Sequence, residues 1–183
     1  LFLISFFSSI ILFSFFKWRN SQHFTLSHQS MFQTITEANL TPQQADLWLK
    51  AKQAINANNV GYAVNLLQAL DKNIPGFLDG RKLLRRCEIK LNPAPKKKGS
   101  LFGGLKISST RKDPLATLVS VEDELEKDPF SISGNESLYA AGLALGDIEL
   151  AAFALETVRA GHPENVKMLQ LLTDLYMDNE LPE

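Results

Sequence analysis

Residues 134–165, G-N-E-S-L-Y-A-A-G-L-A-L-G-D-I-E-L-A-A-F-A-L-E-T-V-R-A-G-H-P-E-N, constrain this chain more than any other stretch. Two apolar runs rich in small residues, 138–145 and 148–158, flank a Gly146-Asp147 break, and Pro163 closes the second. Runs of this length with recurring apolar positions predict a helix, a tight turn and an antiparallel second helix. Neither helix can bury its apolar face alone, so copies of the pair must stack.

The same grammar recurs upstream. Thr41-Pro42-Gln43-Gln44 is a capping box with proline in the first helical position, and it predicts a helix over residues 42–57. Leu47, Trp48, Ala51, Ala54 and Ile55 recur there at helical steps. Asn58-Asn59 breaks it. A second helix follows over 60–72, with Ala63, Leu66, Leu67 and Leu70 on one face and Pro75 at its end. Ala51 and Ala63 are small where these two helices should cross.

Residues 77–91 read as the first helix of a second pair, with Leu78, Leu83, Leu84, Cys87 and Leu91 apolar and Arg85 where a small residue is expected. Asn92-Pro93-Ala94-Pro95 stops it. A segment without helical period follows, K-K-K-G-S-L-F-G-G-L-K-I-S-S-T-R-K, over residues 96–112. Asp113-Pro114 then opens the delayed second helix, 115–127. Ser133-Gly134-Asn135-Glu136 is read as a further capping box, and Pro163-Glu164 as the start of a last helix carrying Val166, Leu169, Leu172, Leu175 and Tyr176, whose own partner helix is missing. The expectation is an all-α chain of seven helices, three pairs and a half pair, forming a superhelix of stacked antiparallel pairs with a long basic loop, 92–113, inserted in the second.

The spacing Ala51, Ala63, Leu70, Pro75 resembles the tetratricopeptide repeat, whose period is 34 residues. Gly146, Ala151, Leu155, Val158 and Pro163 repeat it, with Tyr139 where that family prefers glycine or alanine. Pro129 and Pro163 are one period apart; Pro75 and Pro129 are separated by a period plus the insertion. The resemblance covers about residues 43–177. It implies a non-catalytic scaffold that holds a peptide segment of another protein in a concave groove lined by the first helix of each pair. By repeat register the ligand-facing positions are Trp48, Lys52 and Asn56, then Lys82, Arg86 and Lys90, then Gln170, Asp174 and Met177. The middle of such a groove is cationic, and an acidic segment or a terminal carboxylate is the partner it implies.

Charge is distributed unevenly behind the formal net of −1: residues 1–75 carry net +2, 76–112 net +9 and 113–183 net −12. The basic loop, with Lys96, Lys97, Lys98, Lys106, Arg111 and Lys112 beside Leu101, Phe102 and Leu105, suits anionic headgroups, or phosphates of nucleic acid, although one aromatic gives little base stacking. A solvated insertion, or a loop folded back on the acidic C-terminal helices, fits the same residues. Nucleic acid is the weaker expectation, and no small-molecule substrate, metal or cofactor is implied.

No nucleophile elbow, zinc-protease helix, paired cysteine or phosphate loop is present. Gly103-Gly104 lacks the strand and the Lys-Ser of a phosphate cradle. Cys87, the single cysteine, lies on an apolar helical stripe, excludes an intrachain disulfide and fits a reducing, cytoplasmic setting. His162 precedes a proline at a helix junction and reads as a turn residue. Glu122, Asp123, Glu124 and Glu126 read as a solvated face.

Residues 1–16, L-F-L-I-S-F-F-S-S-I-I-L-F-S-F-F, carry no charge, and Lys17-Trp18-Arg19 follows. Three readings fit: an anchor holding the body on the inner face of a membrane, a cleaved signal peptide, or an extension outside the native protein, with Met31 its natural start. His23 and His28 in the polar tail lack a third ligand. Residues 31–40 read as a linker and 41–183 as the repeat domain.

Overall fold

The computed structural model describes residues 35–96 and 113–179. Residues 1–34, the hydrophobic leader and its polar tail, lie outside the described residues, as do 97–112 and 180–183. All described residues fall within one compact unit, Phe32–Glu183.

Seven α-helices and no strand are found among the described residues: α1 Pro42–Asn56, α2 Val60–Asn73, α3 Leu78–Leu91, α4 Pro114–Leu125, α5 Ile132–Leu145, α6 Ile148–Gly161 and α7 Val166–Asn179. Local chemistry explains the boundaries. Thr41 accepts from the backbone N–H of Gln44 while Gln44 returns a bond to Thr41 N, and Pro42 occupies the first turn. Asn59, Asp113 and Asp147 each accept from the amide three residues on. Asn58 takes the left-handed conformation between α1 and α2 at φ 57°, and Gly146 does so between α5 and α6 at φ 73°. Asparagine and glycine are the residues that tolerate it.

Two starts differ from expectation. α5 begins at Ile132 because the Ser131 hydroxyl, two residues before Ser133, accepts from Gly134 N. Ser133 is inside the helix, and both serine hydroxyls donate to Glu124. α7 begins at Val166 because Asn165 accepts from Met168 N, leaving Pro163 and Glu164 in the turn. Pro75, Pro129 and Pro163 all lie in the bends between successive pairs.

Consecutive helices pack with their backbones close, with one exception. The first hydrophobic cluster joins α1, α2 and α3 around Trp48, Ala51, Ala63, Leu67, Leu70, Leu84 and Cys87. The second joins α4, α5 and α6 around Leu118, Leu125, Leu138, Leu150 and Ala154, with Leu78 of α3. The third joins α6 and α7. The exception is α3 with α4, the expected second hairpin, whose backbones stay apart. The result is a repeat-like stack of helix pairs with one open joint. Leu91, expected on the apolar stripe, is 51% exposed. The described part of the 31–40 segment forms a short 3₁₀ turn, Glu37–Asn39, and Ile35 and Leu40 pack on the first cluster.

The small residues sit where helices cross. Ala51 and Ala63 are fully buried at the α1–α2 contact. In the third pair half-buried Tyr139 leaves the close approach to Gly142: a Cβ there would lie 2.9 Å from Ala151 N and 3.0 Å from Asp147 O. Both are backbone atoms and cannot swing away. Gly142→Ala is therefore expected to cost about 1–3 kcal/mol in urea denaturation. Gly61→Ala, on α2 with nothing within 4 Å of the new carbon, should be neutral or stabilising by about 0.5–1 kcal/mol.

No described helix is long and apolar enough to cross a membrane; the anchor expected in residues 1–16 lies outside the described residues.

Candidate functional site

α1 and α3 are the first helices of successive pairs, and their backbones do not pack together. Between them lies a groove of about 430 Å³ lined by Trp48, Lys52, Ile55 and Asn56 of α1 and Asp79, Lys82, Leu83 and Arg86 of α3. Helical geometry dictates the lining. Positions 48, 52, 55 and 56 share one face of α1 at steps of three and four, and 79, 82, 83 and 86 share one face of α3.

Five of the six positions expected at the groove's first two helices meet there. Trp48 is only 7% exposed and forms part of the floor, set edge-on to Phe77 at 5.1 Å between ring centroids. The Lys52 ammonium lies 4.9 Å from the Trp48 ring centroid, within cation–π range. Arg86 is exposed and Lys82 half-buried. Lys82 approaches Glu149 of α6 only at 3.9 Å, an exposed pair of little energetic weight. Lys90 does not line the groove; its ammonium donates to Asn58 Oδ1 at 2.9 Å in the α1–α2 turn. Gln170, Asp174 and Met177 also lie apart from it, on the exposed face of α7, where Gln170 donates to Asp174.

Two acidic residues at the site escaped the sequence reading. Asp79 places a carboxylate among the cations. Glu37, on the 3₁₀ turn, accepts from Lys52 Nζ at 2.9 Å, and that ammonium holds the Glu37 carboxyl below its ordinary range. The groove's α1 cation is thus already engaged by a carboxylate of the same chain. Ile55 and Leu83 supply apolar wall between the charges.

The other face of α3 carries the largest departure from expectation. Arg81 and Arg85 are 0% and 1% exposed, and Glu88 is 1% exposed. Glu122, expected on a solvated face, is 3% exposed, although Asp123 and Glu126 of the same run are exposed. Arg81 donates to Glu122 and, at 2.9 Å, to Asp71 Oδ2. Asp71 Oδ1 lies as close to the same nitrogen without an aligned hydrogen bond. Arg85 donates to both oxygens of Glu122, at 3.2 and 3.0 Å, and to Glu88. This charged layer fills the space between α3 and α4. Arginine in place of a small residue at position 85 keeps the two backbones from meeting, and its guanidinium spans the gap.

A signal for this layer was present. On α4, Leu118, Val121, Glu122 and Leu125 follow the i, i+3, i+4, i+7 steps of a buried face; on α3, Leu78, Arg81, Arg85 and Glu88 recur at alternating steps of three and four along one face. Charges of opposite sign at such positions on neighbouring helices mark a buried pairing.

Lys96, the first residue of the basic segment 96–112, is exposed; Lys97, Lys98, Lys106, Arg111 and Lys112 lie outside the described residues. Among the described residues no group of histidine, cysteine or carboxylate side chains is placed to hold a metal ion. Cys87 is buried, and burial raises its thiol pKa, as expected for an inert side chain. His162 contacts Phe130 O at 3.1 Å through Nε2, at the bend before α7. Compared with protein-family models, curated proteins and solved structures, the chain matched none.

Proposed function

We propose that the chain is a non-catalytic interaction scaffold of the tetratricopeptide type, whose α1–α3 groove takes a short acidic segment of another protein. The observation that carries this reading is convergence. Lys52, Asn56, Lys82 and Arg86, drawn from two helices about thirty residues apart in sequence, face one groove whose floor is an aromatic ring. Three cations, Lys52 already paired with Glu37, outnumber the carboxylates of Asp79 and Glu37 and favour an anionic ligand at Lys82 and Arg86, and Asn56 can both donate and accept. Ile55, Leu83 and Trp48 offer apolar contact to a side chain flanking the acid. An extended peptide fits a channel between two separated helices better than a globular surface does.

A peptide array tests this directly. Acidic segments, each with a free and an amidated C-terminus, are probed with the full chain at two salt concentrations. Acidic sequences should be retained and their basic counterparts should not, with retention falling at high salt. Deleting residues 97–112 separates this reading from binding through the basic loop, to membrane headgroups or nucleic acid: groove binding persists in the deletion. If acidic peptides are retained only when the loop is present, the groove is not the site.

A further inference from the structure

We propose that the charged layer between α3 and α4 is a pH-dependent joint, which holds a bound proton when closed and loosens when that proton is lost. The geometry sets up an imbalance. Three carboxyl groups, Asp71 of α2, Glu88 of α3 and Glu122 of α4, meet two guanidiniums, Arg81 and Arg85, and all five are at most 4% exposed. Glu122 accepts from both arginines and Asp71 from Arg81. Glu88 has only Arg85, which it shares with Glu122, and its Oε1 has no hydrogen-bond partner. The Nε atoms of Arg81 and Arg85 have none either. A carboxylate buried without its own counter-charge is costly, and taking up a proton removes that cost.

Among the described residues no nearby group supplies a third buried cation. From α2, Lys72 is exposed and lies 3.7 Å from Asp123. On α3, Cys87 and Lys90 flank Glu88, and Lys90 is exposed and bound to Asn58. From α4, exposed Glu126 adds negative charge, and Asp123 faces Lys72. Burial, opposed by Arg85 and reinforced by Glu122, pushes the Glu88 carboxyl up to about 8. Burial likewise pushes Asp71 up to about 7, against the pull of Arg81. The backbones of α3 and α4 stay apart, and the first and second hydrophobic clusters lie on either side of the layer. Side-chain pairing through this layer, beside the apolar contact of Leu78 in the second cluster, ties α3 to α4.

A carboxyl whose pKa is higher in the folded chain than in the unfolded one binds a proton on folding between those two values. Stability from it is complete below the unfolded value and declines as pH rises through the folded one. The window runs from about 4.5 to about 8. Glu37, whose pKa is lowered, acts below this window, and Lys50, raised above 10.5, acts above it.

The test uses the full chain and Glu88→Gln, which keeps the shape of the side chain and removes its titration. Proton uptake on refolding at pH 6.5 is measured calorimetrically in buffers of different ionisation enthalpy. The wild type should take up about one proton more than Glu88→Gln. Its melting temperature should fall by roughly 5–10 °C from pH 5 to pH 8, while that of Glu88→Gln falls by less than half as much. Equal uptake in the two proteins, or parallel melting curves, overturns the proposal. If Glu88→Gln does not fold, Asp71→Asn replaces it, and wild-type uptake below about 0.2 proton at pH 6.5 overturns the proposal without any variant.

Discussion

Arg85→Ala is expected to lower stability by about 3–5 kcal/mol, a large share of the roughly 5–15 kcal/mol that holds a typical domain together. The guanidinium is buried and donates to Glu122 and Glu88. Removing it leaves both carboxyls without their shared donor, in a place water does not reach, and opens a cavity between α3 and α4 whose backbones cannot readily close on it. The measurement is urea denaturation followed by far-ultraviolet circular dichroism. The neighbouring Arg86→Ala provides the contrast. That side chain is exposed, and its loss should stay within about 0.5 kcal/mol. A third variant separates loss of charge from loss of fill: Arg85→Met with Glu88→Leu and Glu122→Met removes opposite charges together and should recover most of the stability. If Arg85→Ala and Arg86→Ala denature at the same urea concentration, the buried layer does not hold the joint.

Lys82→Glu combined with Arg86→Glu should weaken capture of an acidic peptide by about 100-fold or more, since two attractive contacts become repulsive at one site. Helix content should not change. Both side chains face the groove, and the contact of Lys82 with Glu149 is exposed and contributes little. Isothermal titration with the best acidic peptide from the array reads the affinity, and circular dichroism reads the helicity. Survival of binding with intact helicity removes the groove from consideration. Lys52 is a poorer probe. Its ammonium also holds Glu37, so reversing it disturbs the 3₁₀ turn as well as the groove.

Much of the architecture is legible along the chain because it depends on contacts within a few residues. Thr41 and Asp113 with the prolines that follow them set helix starts by bonds spanning three positions, and Gly146 sets an end through its own backbone freedom. The bends at Pro75, Pro129 and Pro163 follow from the same local rule. The groove was partly legible for a related reason. The register that the tetratricopeptide resemblance implies names Trp48, Lys52, Asn56, Lys82 and Arg86, and all five line the groove. Lys90 fails because one further turn carries it past the groove to the α1–α2 turn, where Asn58 Oδ1 accepts a hydrogen bond from its ammonium. Glu37 was missed because nothing local relates a 3₁₀ turn to a lysine fifteen positions later.

The amino-acid order by itself therefore determined seven helices, the caps at Thr41 and Asp113, the bends, and which helix faces carry apolar and small residues. All of these rest on interactions that saturate within a turn or two of helix. Only the tertiary structure decided that Arg81, Arg85 and Glu88 face inward, that Glu122 meets them from α4, and that α3 and α4 stand apart. A charged side chain tells nothing of its own burial; that depends on whether a counter-charge arrives from across the fold, here from 37 and 41 positions away.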